Sequence, residues 1–349
     1  MNPALNPGVL LIRADAGVLI GTGHVMRCLA LAQAWQDAGG STVFVAAEIT
    51  PSVQDRLQSE LVEVVRITTE VGSREDSDQT IRLAAKYQAT WLVVDGYRFG
   101  AAYQSGVKAT GLKLLLVDDR GSPGGYAADI ILDQYPRKSD NSSKQGQSVG
   151  RFLLGPKYIL LRREFREWLH WDRPIPEKGG RILIAMGGSD PDKLSLTALR
   201  AVADGEIGSF EITIVVGGSN AQATLLQQEA TKAKVPVRFL SNSKNMPEVL
   251  ANSDVAIIAA GATLGEALFM RCAVLSYARN AVQQGILDDL GGEGAVIPVR
   301  GGGENLPELL RQVANSKECR AQFSSKGRQI VDGRGAERIV NILLGKENN

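Results

Sequence analysis

Two neighbouring stretches decide the fold: Val9-Leu10-Leu11-Ile12-Arg13-Ala14-Asp15, and after it Gly21-Thr22-Gly23-His24-Val25-Met26-Arg27. The first reads as an apolar strand ending in polar residues. The second opens an amphipathic run from Val25, with Leu29, Leu31, Ala32 and Trp35 near helical spacing. His24 therefore falls at a helix N-terminus, just past the carboxyl end of the first strand, which is where open α/β sheets bind ligands. Glycines at 21 and 23 permit a tight turn and leave no side chain to bar a substrate, while the helix end disfavours a charged imidazole. A neutral imidazole placed there can take a proton from water.

Two other readings compete. A Gly-x-Gly after a strand suits dinucleotide binding, with Glu48 as the ribose acid, but Met26 stands at the third glycine position and would block the close helix packing of that fingerprint. A capping or core role is the ordinary reading of a histidine. Against it stand the glycine loop and the presence of only two histidines in the chain.

At 349 residues the chain suits two domains, each large enough to bury its own core. A net charge of +1 supplies no field for nucleic acid or an acidic membrane surface. Cys28, Cys272 and Cys319 form no even framework and no Cys-x-x-Cys, which points to a reduced cytoplasmic setting without structural zinc. Cys28, four residues after His24, reads as a small buried residue rather than half of a metal pair, since further ligands are scarce. No secretory h-region precedes the first strand, and no apolar run approaches the ~18 residues of a membrane span.

The first half alternates apolar strands, at 9–13, 42–46, 62–67, 91–95, 112–118 and 129–132, with helical patterns at 25–38, 52–59, 74–87 and 101–110. Such alternation argues a parallel sheet covered on both faces. Asp95, in Val93-Val94-Asp95-Gly96-Tyr97, and Asp118-Asp119 end strands on the same sheet edge as His24. They are candidates for acid/base groups, orienters of a histidine or caps of the next turn, and Asp119 before the loop at 120–125 suits a cap. The polar stretch centred on Lys138-Ser139-Asp140-Asn141-Ser142-Ser143-Lys144 reads as an exposed loop, 162–173 as a solvated helix, and 173–180, rich in proline and glycine, as a domain linker.

The alternation restarts at 181–185, followed by Met186-Gly187-Gly188-Ser189-Asp190-Pro191. Asp190-Pro191-Asp192 has metal-binding spacing, yet it also suits an N-cap with proline at the first helical position. Gly187-Gly188 bares backbone N–H groups for a polar or anionic ligand. Further strands are expected at 211–216, 237–240, 255–259 and 273–277. After 255–259, Ala260-Gly261-Ala262-Thr263-Leu264-Gly265-Glu266 enters a helix through small residues, an anion site in which Glu266 could reach a ribose diol or simply favour the first helical turn. The segment 316–344 is helical in pattern, broken near 332–335.

Taken together, Arg13-Ala14-Asp15, Ile20-Gly21-Thr22-Gly23-His24-Val25-Met26-Arg27, Val94-Asp95-Gly96-Tyr97, Val117-Asp118-Asp119, Leu154-Gly155-Pro156-Lys157-Tyr158 with Leu161-Arg162-Arg163-Glu164-Phe165, and Met186-Gly187-Gly188-Ser189-Asp190 resemble the UDP-2,4-diacetamido-2,4,6-trideoxy-β-L-altropyranose hydrolases of pseudaminic acid synthesis. Those enzymes are relatives of the N-acetylglucosaminyltransferase that forms lipid II. The resemblance runs from about residue 9 to residue 300. It implies two Rossmann-like α/β domains in a GT-B-type arrangement, 1–172 catalytic and 181–349 binding UDP, with the active site in the interdomain cleft and the last helix able to return to the first domain.

By that resemblance His24 is the catalytic histidine, with Asp15, Asp95 and Tyr97 beside it. Arg13, Gly21, Gly23 and Arg27 are expected to bind substrate in the first domain. In the second, Gly187, Gly188, Ser189, Gly261, Ala262, Thr263, Leu264, Glu266 and Asn280 are expected to do so. Two departures fall on ligand-facing loops: Asn280-Ala281 stands where Asn-Gln is usual, and Tyr97-Arg98 where Tyr-Gly is usual. The expected reaction is inverting hydrolysis of a UDP-sugar at its anomeric carbon, with no metal and no cofactor, by a cytoplasmic monomer or weak homo-oligomer.

A glycosyltransferase passing the sugar to an acceptor, and a non-catalytic UDP-sugar-binding protein, are the alternative readings. The first domain shows no apolar or basic run of the kind that handles lipid, which favours hydrolysis.

Overall fold

The structure is a computed structural model that describes residues 6–18, 20–121, 124–136, 150–203, 210–218 and 220–346. The polar stretch at 138–144, Ser122 and Pro123 of the loop at 120–125, and the tail at 347–349 lie outside the described residues. The chain divides into two compact units, Met1–Arg163 with Arg334–Asn349, and Glu164–Gly333.

The first unit carries strands β1 (Val9–Ala14), β2 (Ser41–Ala46), β3 (Glu63–Arg66), β4 (Ala89–Asp95), β5 (Lys113–Val117), β6 (Ile130–Asp133) and β7 (Arg151–Leu154), and helices α1 (Gly23–Asp37), α2 (Pro51–Ser59), α3 (Arg74–Lys86) and α4 (Ala101–Lys108). In the second lie β8 (Arg181–Ala185), β9 (Glu211–Val216), β10 (Val237–Ser241), β11 (Val255–Ala259), β12 (Ala273–Tyr277) and β13 (Ile297–Val299). Its helices are α5 (Leu194–Val202), α6 (Ala223–Ala230), α7 (Met246–Ala251), α8 (Ala262–Phe269), α9 (Ala281–Gly292), α10 (Leu306–Asn315) and α11 (Lys317–Ile330). The last helix, α12 (Gly335–Leu343), belongs to the first unit.

Each unit is built on one sheet of parallel strands, in the order β3-β2-β1-β4-β5-β6-β7 and β10-β9-β8-β11-β12-β13. A parallel sheet covered by helices must be apolar on both faces, and strand alternation then sorts successive residues to opposite sides. In β1, Leu10, Ile12 and Ala14 join a core with Val25, Leu29 and Trp35 of α1 and Ile339, Val340 and Leu343 of α12. Leu11 goes to the other core with Val43, Leu92, Val94, Tyr103 and Val107.

Arg13 follows the same alternation but carries a charge. It is fully buried, its Nε and Nη2 donating to the two Asp76 carboxylate oxygens at 3.0 and 2.8 Å and its Nη1 to Asp15 at 2.7 Å. Burial opposes the charge, but Asp76 and Asp15 outweigh it and hold the guanidinium above its ordinary pKa. Asp15 in turn accepts from the Ala47 and Glu48 backbone N–H groups at 2.7 and 3.0 Å, and Asp76 from that of Gly72 at 2.9 Å. This network ties β1 to α3 and to the end of β2. Arg13, expected to bind substrate, and Asp15, expected beside the catalytic histidine, are thus both buried and engaged within this network.

The segment at 173–180 is not a linker. Arg173 donates to the carbonyls of Met270, Ser253 and Leu250 at 2.9, 2.5 and 2.6 Å, and Arg320 donates to that of Pro176 at 2.5 Å, so the segment is packed within the second unit. The unit boundaries lie at 163/164 and 333/334 rather than at 172 and 181. Arg163–Trp168 forms a short 3-10 turn where a solvated helix was expected. In the first unit α12 is held by packing and by Trp91, whose Nε1 donates to the Leu343 carbonyl at 3.1 Å. No described helix is long and apolar enough to cross a membrane.

Removing one partner of a buried pair strands the other. Asp76→Ala is expected to lower the free energy of unfolding by about 3–5 kcal/mol, read from the shift of a urea transition. A shift under about 1 kcal/mol would show that the network carries little of the fold.

Candidate active site

In each sheet the strand order reverses at one place, between β1 and β4 in the first unit and between β8 and β11 in the second. The loops leaving the carboxyl ends of these strands are where an α/β sheet takes its ligand.

In the first unit the loop after β1 is pinched shut by Gly17 and Gly21, which exchange backbone hydrogen bonds of 3.2 and 2.9 Å. Gly21 has φ +77°, a left-handed conformation that a side chain resists. A Cβ on Gly17 would lie 1.7 Å from Glu48 Oε1, whereas one on Gly23 would meet nothing within 4 Å. The pinch turns Val18 and Ile20 outward, 49% and 44% exposed, an apolar tip that the sequence reading did not find.

Helix α1 begins at Gly23, so buried His24 sits in its first turn. Its Nδ1 is 2.7 Å from Oδ1 of Asp95, the last residue of β4, which pairs in register with Ala14 at the end of β1. One turn further, Arg27 donates to the same carboxylate through Nε at 2.6 Å and Nη2 at 2.7 Å, and its Nη1 pairs with Asp119. The Cys28 thiol donates to Asp95 at 3.4 Å. His24, Arg27 and Cys28, three and four residues apart, share one helix face, which is why one carboxylate can gather all three.

Burial works to raise the Asp95 pKa. The charges of Arg27 and then His24, with their hydrogen bonds, overcome it and hold the carboxyl well below the usual carboxylate range. For Arg27, burial works to lower the pKa and is outweighed by Asp119 and Asp95. Burial, reinforced by Asp95, pushes the Cys28 thiol up, so Cys28 acts as a buried donor. An ionised Asp95 can only accept, so the Nδ1 of His24 carries the hydrogen, and Nε2 is the ring position left to take up or give up a proton. The Tyr97 ring packs edge-on against the imidazole, centroids 4.8 Å apart.

Arg27, expected to bind substrate, is thus engaged by two carboxylates. The turn-capping role expected of Asp119 falls to its neighbour: Asp118 accepts from the N–H groups of Arg120 and Gly121 at 2.9 and 3.1 Å and from the Tyr126 hydroxyl at 2.8 Å.

In the second unit β8 leads into Gly187, whose φ is +91° and beside which a Cβ would meet nothing within 4 Å. Gly188 is crossed closely by Gly217, where a Cβ would come 2.3 Å from the Gly188 oxygen. Ser189 is buried, and its Oγ has no hydrogen-bond partner among the described residues. Asp190 caps, but not as expected. α5 starts only at Leu194, and the Asp190 carboxylate reaches forward to the N–H groups of Leu194 and Ser195, both at 2.9 Å. Burial raises its pKa against those bonds. Asp192 instead pairs with Arg279 at 2.7 Å, so the two carboxylates do not converge on one cation.

After β11, Gly261 caps α8 with open space around it, and Ala262 and Thr263 follow in the first turn, outside the core. Leu264, expected to bind substrate, is fully buried, and its N–H is bonded to the Gly261 carbonyl at 3.0 Å. Glu266 is buried one turn in. Asn280, expected to meet substrate, is the N-cap of α9 and accepts from the Gln283 N–H at 3.0 Å. Among the described residues no three histidine, cysteine, aspartate or glutamate side chains gather as a metal site would require.

Two Rossmann-like parallel-sheet units, each with loops opening at its switch point, define the GT-B glycosyltransferase fold. The chain is similar in structure to MurG of Acinetobacter baumannii, with a TM-score of 0.65 and 17% identity over 97% of this chain and 99% of that one. It is likewise similar to the spinosyn rhamnosyltransferase SpnG in complex with its aglycone, at 0.61 and 18% over 97% and 100%.

In sequence the chain is similar to the UDP-2,4-diacetamido-2,4,6-trideoxy-β-L-altropyranose hydrolase of Campylobacter jejuni, 27% identical over 78% of this chain and 92% of that protein. A spore coat polysaccharide biosynthesis protein of Bacillus subtilis is 26% identical over 95% of this chain and 96% of its own length. An uncharacterised protein of Methanocaldococcus jannaschii is 23% identical over 80% of this chain, which spans only 57% of it. No protein-family profile matches the chain.

The depressed Asp95 pKa has a consequence for acid stability. An Asp in the unfolded chain takes up its proton near pH 3.9, where the native carboxylate is still ionised, so the contribution is whole above about pH 5 and lost as pH falls through the native pKa. Urea unfolding between pH 5 and 3 is expected to show a steeper loss of stability in the wild type than in Asp95→Asn. Equal slopes would mean that Asp95 is not held ionised.

Proposed function

We propose that the protein is a UDP-sugar hydrolase that releases UDP and a free 2,4-diacetamido-2,4,6-trideoxy hexose by water attack at the anomeric carbon with inversion. The observation that carries this reading is the 2.7 Å contact between His24 and a carboxylate already held ionised by Arg27. It leaves Nε2 as the one basic position on the ring. A water held there loses its proton to Nε2 as its oxygen bonds to C1, and the C1–O bond to the diphosphate breaks on the opposite side.

UDP leaves as an anion close to full ionisation, so the step demands neither a strong general acid nor a metal. In the second unit the N-terminus of α8, with Gly187 and Gly188, suits the diphosphate, and Glu266 a ribose diol. The sugar class is taken from the Campylobacter relative, whose likeness covers most of both chains.

A second reading, transfer to an acceptor hydroxyl, is favoured by the exposed Val18 and Ile20 on the loop that leads into the helix of His24, an apolar surface on which an acceptor could rest. The two separate by product. In acceptor-free labelled water, hydrolysis yields free UDP with the label on the sugar. Label on phosphate refutes cleavage at C1, and no release without an acceptor supports transfer.

His24→Asn is expected to cut turnover by about a hundredfold or more while leaving UDP affinity within about twofold. Equal losses in both would make the histidine structural. Glu266→Ala is expected to weaken UDP binding about tenfold, as calorimetry would report, and an unchanged affinity would leave Glu266 only its role in the helix.

A further inference from the structure

Tyr97 contacts two other side chains at the carboxyl edge of the first sheet. One is the His24 imidazole, its plane 82° from that of the tyrosine ring. The guanidinium carbon of Arg120 lies 3.4 Å from the centroid of the same ring. The turn that carries Arg120 is anchored by the bond from its N–H to Asp118, yet the side chain itself is exposed. Tyr97 is 51% exposed, so this stack forms part of the surface of the site rather than its foundation.

A guanidinium lying on an aromatic face is held in place by that face, while its N–H donors point outward in their own plane. Arg27, the other cation here, is engaged by Asp95 and Asp119. Arg120 pairs with no carboxylate among the described residues. It is thus a fork of donors held on the ring that packs against the candidate base.

We propose that Arg120 is a specificity-determining residue that reads a planar oxygen acceptor on the sugar, an N-acyl carbonyl or a carboxylate, and not the nucleotide. The assignment rests on the hydrolase reading through the geometry of displacement. Entering water and leaving diphosphate lie on opposite sides of C1, and the water is on His24. Arg120 stacks on the same tyrosine ring that packs against His24, in the unit that supplies the water, and so is assigned to the sugar and its substituents. A guanidinium fork matches two acceptor positions in one plane, which acyl and carboxylate groups supply and a lone hydroxyl does not.

The test reads binding apart from turnover, in a chain carrying His24→Asn, by calorimetry with UDP, UDP-glucose, UDP-N-acetylglucosamine, UDP-glucuronic acid and a UDP-2,4-diacetamido-2,4,6-trideoxy hexose. At least one acyl- or carboxylate-bearing sugar is expected to bind about tenfold or more tightly than UDP-glucose, and Arg120→Ala to abolish that gain while leaving UDP and UDP-glucose within about twofold. Arg120→Lys, which restores charge without the fork, is expected to recover only part. The N-acetyl and uronate arms say which acceptor is read.

The proposal is overturned if no such sugar is preferred, or if UDP itself loses as much affinity as the sugars, the mark of a nucleotide contact. It is equally overturned if Arg120→Ala changes only kcat in the His24 enzyme, the mark of a residue that positions Tyr97. Failure of the hydrolase reading shows separately, as wild-type protein that binds these compounds and releases no UDP from them.

Discussion

Everything at the carboxyl edge of the first sheet turns on one buried carboxylate. Asp95 ends β4 in register with the end of β1, where water cannot stabilise its charge, and the cost of that burial is met by Arg27 from the neighbouring helix. Once ionised it can do nothing but accept, and that fixes the imidazole beside it in one tautomer and one orientation. Arg27 extends the arrangement to Asp119 after β5, so three consecutive elements of the sheet edge are joined through three side chains, one from each. The candidate base is therefore placed by a rigid scaffold, which is what positioning a reacting water requires.

The same unit contains a second arginine held between two carboxylates, and the comparison separates structure from chemistry. Arg13 with Asp76 and Asp15 ends in backbone N–H groups, at Gly72, Ala47 and Glu48, and none of the three side chains reaches solvent to any extent. Arg27 with Asp95 and Asp119 ends in an imidazole and, past it, in a half-exposed tyrosine. Both networks neutralise buried charge. Only the second leaves a titratable, basic atom at its end, and no motif of residue types distinguishes the two before the register of β1, β4 and α3 is known.

This bears on how much the sequence could tell. Apolar runs of β length alternating with helical periodicity placed nearly every strand, because burial on both faces of a parallel sheet leaves no other pattern for residues such as those in β1 and β4. The short strands β7 and β13 escaped, β13 having only three residues in which to show a period. The segment at 173–180 misled for a different reason: proline and glycine exclude a helix, but they do not say whether the chain is loose or strapped down, and Arg173 straps it through three carbonyls. Leu264 could have been assigned to the core from its helical position, and Asn280 to a cap from the helical run after it. The Val18 and Ile20 tip had no such signal, since a few apolar residues between glycines look like any loop until the Gly17–Gly21 pairing turns them outward.

The second unit answers the first in a different chemical style. The charges on its candidate loops are engaged elsewhere, Asp190 by the start of α5 and Asp192 by Arg279. What they offer is accessible backbone, with room beside Gly187 and Gly261 at the two loops that flank the switch point between β8 and β11. The buried hydroxyl of Ser189, without a hydrogen-bond partner among the described residues, sits on one of these loops, where an unmet polar group costs roughly 1–3 kcal/mol. A fold that tolerates such a group at a ligand edge keeps donors and acceptors in place before anything binds, so a bound phosphate or hydroxyl need not first pull them away from other partners. Under the proposed function this divides the work by physics: fixed dipoles and open backbone hold an anion in one unit, and one ionised carboxylate sets up a base in the other.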